Sequence, residues 1–430
     1  MTALLLDVDD TIVDTARTGW EKCQQAAREL GLVPPSRGDF AALYGTRGFD
    51  ECVQSWHPGV DSAQYRRRYD SLGDQYPPVP LGDVVSLLSR ARAESVLVAI
   101  LTNGTREKTR RKLAALGLDD ADFDAVSCAD DRATNKSDPA TFDELRRVLR
   151  QESGETWMVS DLPDDWRVAR RAGMRAIGVH ASTWAGRKAD GVDILVPTLD
   201  DLSGLIPLLG GSARRPVAGA GPVQAISFDV GGTLLEEIET PERTLRRVVG
   251  DSGQIAGAVD SAHWTVASSV WGDAEAIESE LLSLYQTALI SWGVESADYI
   301  AREAMRRHIS SKNWRISEVA GAWLLANGGP CRLGVVSNWS PELEETLRCH
   351  GFVDVFEQIV CSSAVGASKP SREPYLLLAE ALRLEPGQIA HLGDDLLNDV
   401  AAAHDAGMCG VLVGRHSPAG YLDDVMRVLL

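Results

Sequence analysis

Short apolar runs that stop abruptly at polar residues alternate along this chain with longer stretches of helical periodicity. Ala3 to Leu6, Val96 to Leu101, Ala225 to Phe228 and Leu333 to Val336 are strand-sized, whereas Arg106 to Leu116 and Asp138 to Leu149 carry amphipathic helical patterns. This alternation predicts parallel β-α-β units, an α/β fold with a doubly wound sheet and helices on both faces. Ligands of such sheets bind at the carboxyl ends of the strands, where the polar words of this sequence fall. Two stretches break the alternation: residues 15–89 and 236–326 read mostly helical, and each is expected to be an inserted cap over a site.

The pattern is written twice. ALLLDVDDT (Ala3 to Thr11) is matched by AISFDVGGT (Ala225 to Thr233), and LVAILTN (Leu97 to Asn103) by RLGVVSN (Arg332 to Asn338). Lys136 opens KSDPATF and Lys369 opens KPSREPY, each before a helical pattern, and the segment around Asp161 returns around Asp394. Lys136 to Asp161 and Lys369 to Asp394 are both 25 residues apart. The sequence therefore predicts two tandem Rossmann-like domains, 1–209 and 223–430, joined by a linker at 210–222 that is rich in Gly, Ala and Pro without apolar periodicity. The two copies are expected to pack on each other as an intramolecular pseudo-dimer.

Composition narrows the partners. The 430 residues carry 43 basic and 62 acidic side chains, net −19, with 44% hydrophobic residues. That is a globular chain, and its negative charge argues against nucleic acid, which is held mainly by Lys and Arg. Seven scattered cysteines without a C-x-x-C spacing suit the reduced thiols of a cytoplasm and no zinc site. The apolar runs are too short to span a membrane, and no signal peptide is expected. Only seven of the basic residues are lysines, a bias that suggests a GC-rich bacterial genome.

Taken singly, the polar words are ordinary. Asp9-Asp10 could close a turn, Asp138-Pro139 marks a helix start, and Asp164-Asp165 suits a helix N-terminus. In order, however, DVDDT, Thr102-Asn103, Lys136, and Ser160-Asp161 with Asp165 resemble the four motifs of the haloacid dehalogenase-like hydrolases, over nearly all of both copies. The resemblance implies a cap of the type inserted between the first two motifs, and Mg²⁺-dependent hydrolysis of a small phosphorylated metabolite. Asp7 would be the nucleophile that forms an aspartyl-phosphate, and Asp9 the general acid and base. Thr102 and Lys136 would hold the transferring phosphoryl group, with Asp10 and Asn103 as further phosphate contacts. Asp7, Asp9 (through its carbonyl), Asp161 and Asp165 would bind the metal, whose hard oxygen ligands suit Mg²⁺.

The second copy keeps Asp229, Ser337, Lys369, Asp394 and Asp399 at the corresponding places, but Gly231 stands where the acid/base aspartate belongs. It is expected to be a degenerate or ligand-binding partner of a catalytic first copy. The alternatives on the same scaffold are a non-catalytic phospholigand-binding protein, a phosphoryl-transferring mutase, or a hydrolase of carbon–halogen or carbon–phosphorus bonds, for which Lys312 is the only lysine in the second cap. In the first cap, Arg17 with Trp20 and the run Tyr65-Arg66-Arg67-Arg68-Tyr69 could clamp a second anion, but a solvated helix face is the favoured reading. The tryptophans of the second cap, Trp264, Trp271, Trp292, Trp314 and Trp323, are expected mainly in cap core or an interface.

Overall fold

The structure is a computed structural model that describes residues 2–44, 47–152, 155–181, 191–209, 222–249, 270, 274–294, 296–328 and 331–430. The linker, apart from residue 222, and Trp264 and Trp271 lie outside the described residues. The chain divides into two compact units, Met1–Gly219 with Pro418–Leu430, and Ala220–Ser417. No helix among the described residues is long and apolar enough to cross a membrane.

In the first unit, six parallel strands run β1 (Ala3–Leu6), β2 (Leu97–Leu101), β3 (Ala125–Ser127), β4 (Thr156–Ser160), β5 (Arg175–Val179) and β6 (Ile194–Val196). They lie in the order β3-β2-β1-β4-β5-β6, so the chain returns from the edge to leave β1 in the middle. That is the Rossmann-type order, with its switch point beside β1. All four residues of β1 are fully buried, as a central strand covered on both faces requires. Ala3 and Leu5 meet Phe142, Leu145, Val168 and Ala169 of helices Pro139–Leu149 and Pro163–Arg171. Leu4 and Leu6 point to the opposite face by strand alternation. Helix Val84–Ala93 packs on β2 and on helix Leu199–Leu209.

Helices Thr15–Glu29, Arg37–Leu43, Phe49–Trp56 and Ser62–Ser71 form the first cap around Cys23, Phe40, Val53 and Tyr65. The Tyr65 hydroxyl donates to the Cys23 carbonyl at 2.9 Å, while Arg66 pairs with Asp50 at 2.8 Å and Arg68 with Glu29. The basic run of this helix is thus a solvated, ion-paired face.

The second unit repeats the sheet with β7 (Ala225–Phe228), β10 (Arg332–Ser337), β11 (Gln358–Cys361), β12 (Ile389–Gly393) and β13 (Cys409–Leu412), and the cap insertion is entered and left through a separate antiparallel pair, β8 (Leu235–Glu237) with β9 (Trp314–Ile316). The parallel order β11-β10-β7-β12-β13 matches the first five positions of the first unit. Tyr375, Leu378 and Leu382 of helix Glu373–Leu382 cover this sheet. Helices Ala274–Ser291 and Ala297–Ile309 build the second cap about Leu281, Tyr285, Leu289 and Met305. This antiparallel pair is not legible as apolar periodicity, because each of its strands has only three residues.

Candidate active site

Each motif begins where a ladder of strand hydrogen bonds runs out. The N–H of Asp7 still donates to the Val159 carbonyl at 2.9 Å, and that of Asp229 to Leu392 at 2.8 Å, so both carboxylates are the first side chains beyond their strands. Both are buried. Lys136 reaches the same place from the loop before helix Pro139–Leu149, whose start is fixed by Pro139 and by the Asp138 carboxylate accepting the Ala140 N–H at 2.9 Å. Its Nζ lies 3.0 Å from Asp7 and 2.6 Å from Asp165, and Ser160 donates to Asp165 at 2.7 Å. Burial works against the Lys136 ammonium, but Asp165 and Asp7 hold its pKa above the usual lysine range. Burial pushes the Asp7 carboxyl up to about 6, against the pull of Lys136.

The second unit reproduces the arrangement. Lys369 lies 2.7 Å from Asp229 and 2.5 Å from Asp399, and Ser337 donates to Asp229 at 2.9 Å. Burial opposes the Asp399 charge, yet Lys369 and His391 hold it well below the carboxylate range. Asp394 is pushed up to about 8 by burial and then by Asp229 and Asp399. Carboxylate oxygens of Asp229, Asp394 and Asp399 fall within 4.8 Å of one another, a hard-oxygen set that can hold a divalent cation. Among the described residues, Asp7, Asp161 and Asp165 are not gathered that tightly.

Asp10 and Asn103, both expected as phosphate contacts, also hold the main chain around the site. Asp10 takes a left-handed conformation (φ 55°), and its carboxylate accepts the Thr15 and Ala16 N–H groups at 2.9 and 2.6 Å, while its own N–H donates to Val13. It closes the turn into the first cap helix, with burial pushing its pKa up to about 7. Asn103 accepts the Lys136 N–H at 3.1 Å and Arg132 at 3.0 Å; Asn338 likewise accepts the Lys369 N–H at 2.8 Å. In both units this asparagine fixes the main chain of the lysine loop. The hydroxyl of Thr102 accepts the Gly104 N–H at 3.0 Å.

Three further contacts escape the motif pattern. Lys112 forms an ion pair with Asp9 from helix Arg106–Ala115. Its signal in the sequence is a lysine sharing one helix face with Thr109 and Leu113, both buried. Arg132 ties the second motif to the third through Thr102, Ser127 and Asn103. Thr11 donates to Asp161 at 3.2 Å, and Thr233 to Asp394 at 3.3 Å, so the motif threonine orients the fourth-motif acid in both units.

The first unit has a cavity of about 490 Å³ lined by Asp10, Arg17, Trp20, Arg37, Tyr44 and His180. Arg17 is ion-paired with Glu21 at 3.3 Å. In the second unit a cavity of about 420 Å³ opens directly over Asp229, Lys369 and Asp394. Lys312 is exposed and does not line it.

Residues 4–179 match the family described as haloacid dehalogenase-like hydrolase, and residues 223–407 match a second family of the same description. The Xenopus laevis haloacid dehalogenase-like hydrolase domain-containing protein 3 is 27% identical over 192 residues, 44% of this chain and 71% of that protein. A plasmid-encoded phosphoglycolate phosphatase of Cupriavidus necator is 28% identical over 221 residues, 48% of this chain and 93% of that protein. The crystal structure of CbbY from Rhodobacter sphaeroides with phosphate is 21% identical, with a TM-score of 0.40, covering 50% of this chain and 98% of that one.

Proposed function

Both halves of this chain belong to the haloacid dehalogenase-like hydrolases, and we propose that it is a Mg²⁺-dependent phosphomonoesterase of a small phosphorylated metabolite, working in a cytoplasm, with turnover confined to the first unit. The observation that carries this reading is the pair formed by Asp7, buried on Lys136, and the more exposed Asp9, held by Lys112; the second unit has Gly231 in place of Asp9.

An oxygen of Asp7 attacks phosphorus in line as the bond to the leaving oxygen breaks, and Asp9 gives that oxygen its proton. Asp9 then takes a proton from water, whose oxygen attacks the aspartyl-phosphate; phosphate leaves and the Asp7 carboxylate is restored. Lys136 offers its ammonium to the phosphoryl oxygens throughout. Asp7, Asp161 and Asp165, with the Asp9 carbonyl, are the residues that would hold Mg²⁺. The ion supplies charge neutralisation at the phosphoryl group. Phosphate release from a panel of sugar phosphates, nucleotides and an aryl phosphate, with and without Mg²⁺, tests the assignment. Asp229→Asn is expected to stay within about twofold of wild type; loss equal to that of Asp7→Asn would end the division of labour.

Lys112 holds one carboxylate oxygen of Asp9, and the other lies on the Gly104 side. Lys112→Ala is expected to lower kcat by about ten- to a hundredfold with little change in KM, since a misplaced proton donor slows chemistry more than binding. A change in KM alone would assign Lys112 to substrate binding.

The raised carboxyls also predict a pH dependence. Unfolded aspartates lose their protons near the ordinary value of 3.8, whereas folded Asp7 and Asp394 keep theirs up to about 6 and 8. Between these values the folded state binds more protons, so the metal-free chain loses stability as pH rises through the window and levels off above it. Mg²⁺ replaces those protons, and its shift of the thermal midpoint should be larger at pH 8.5 than at pH 5. Equal shifts at both pH values would remove these acids from the metal site.

A further inference from the structure

The loss of the acid/base aspartate in the second unit is one half of a paired exchange. Gly104 follows Thr102-Asn103 in the first unit, and Trp339 follows Ser337-Asn338 in the second. A Cβ placed on Gly104 would lie 3.9 Å from the Asp9 carboxylate, and one placed on Gly231 would lie 3.2 Å from the Trp339 ring. The two positions therefore face each other in both units, occupied by Asp9 and Gly104 in one and by Gly231 and Trp339 in the other. Gly231 is not among the residues with positive φ, so its backbone has no need of glycine. What glycine provides there is room for the indole.

The indole is built into the site. The backbone of Trp339 is pinned on both sides of its peptide groups: its main-chain N–H donates to the Ser362 hydroxyl at 3.1 Å, and its main-chain carbonyl accepts from the same hydroxyl. The Trp339 ring meets that of Trp314, the first residue of β9, with centroids 4.5 Å apart. The Trp314 indole N–H is buried without an acceptor among the described residues. Both rings line the 420 Å³ cavity, together with Leu281 and Ile309, and so do Asp229, Ser337, Lys369 and Asp394. The acids with Lys369 and Ser337 suit a phosphate with its cation, and indoles stand where the first unit has a carboxylate.

We propose that the second unit is a receptor for a phosphate or phosphonate monoanion or dianion carrying a planar ring, held by Lys369 and Ser337 at one end and by Trp339 and Trp314 at the other, and not turned over. This does not depend on hydrolysis in the first unit, and its test uses ligands that cannot be hydrolysed. The full chain is titrated calorimetrically in Mg²⁺ with phenylphosphonate and with propylphosphonate. Phenylphosphonate should bind at least about tenfold more tightly, the size of a good stacking contribution. Trp339→Gly should bring the two within about twofold while leaving propylphosphonate binding in place, which also reports an intact site; Trp339→Phe should keep the ring preference. Lys369→Met should abolish the ring preference, leaving only what the first unit binds, and Lys136→Met should keep it. A ring preference that survives Trp339→Gly, or that disappears with Lys136→Met, overturns the proposal, as does the absence of any preference in the wild type.

Discussion

Asp7→Asn is expected to reduce Mg²⁺-dependent phosphate release by at least about 10⁴-fold, and Asp9→Asn by about 10² to 10⁴. The two losses have different causes. An amide at position 7 keeps the shape of the side chain and its contact with Lys136 but has no anionic oxygen to form the bond to phosphorus. An amide at position 9 leaves the nucleophile intact and can neither give a proton to the leaving oxygen nor take one from water. Asp9→Asn should therefore show its smallest defect on an aryl phosphate, whose leaving group needs no proton, and its largest on an alkyl phosphate. Asp7→Asn should be equally inactive on both. Neither replacement threatens the fold: Asp7 is a buried acid with a pKa already raised by its surroundings, so removing its charge should hold or raise the thermal midpoint at pH 8.5. An Asp9→Asn variant as impaired on the aryl as on the alkyl ester would remove Asp9 from leaving-group protonation.

Rebuilding the first unit's pair inside the second should create activity. In an Asp7→Asn background, Gly231→Asp combined with Trp339→Gly is expected to raise phosphate release by about 10² over Asp7→Asn alone, the lower end of what a positioned general acid contributes. Asp229, Ser337 and Lys369 are already together, so under the proposed division of labour proton transfer is the component to be restored. Gly231→Asp by itself should give no gain, because its Cβ would come within 3.2 Å of the Trp339 ring and the carboxylate would be forced aside. Removing the indole opens space, and a destabilisation of about 3 to 5 kcal/mol is the scale for truncating a buried tryptophan. The thermal midpoint of the double replacement is the control for folding. Activity from the single replacement would mean that Trp339 does not guard the position.

The apolar run Ala3 to Leu6, its counterpart Ala225 to Phe228, and the doubling of every motif determined the α/β class, the tandem repeat and the ends of strands where Asp7 and Asp229 stand. Those features are local, because a fully buried parallel strand needs an uninterrupted apolar run and a helix start needs its cap, as at Asp138-Pro139. The lysines were legible for a different reason: two of only seven recur in the same register before Asp161 and Asp394. Which side chains meet was decided by the tertiary structure alone. Lys112 finds Asp9 across 103 residues, Arg132 joins two loops, and Asn103 and Asp10 turn to backbone N–H groups that sequence spacing does not reveal. The exchange of Asp9 and Gly104 for Gly231 and Trp339 belongs to the same class. Periodicity assigns a residue to a face, but the partner across that face depends on how separate strands and helices stack, and that is fixed only when the sheet and its covering layers pack.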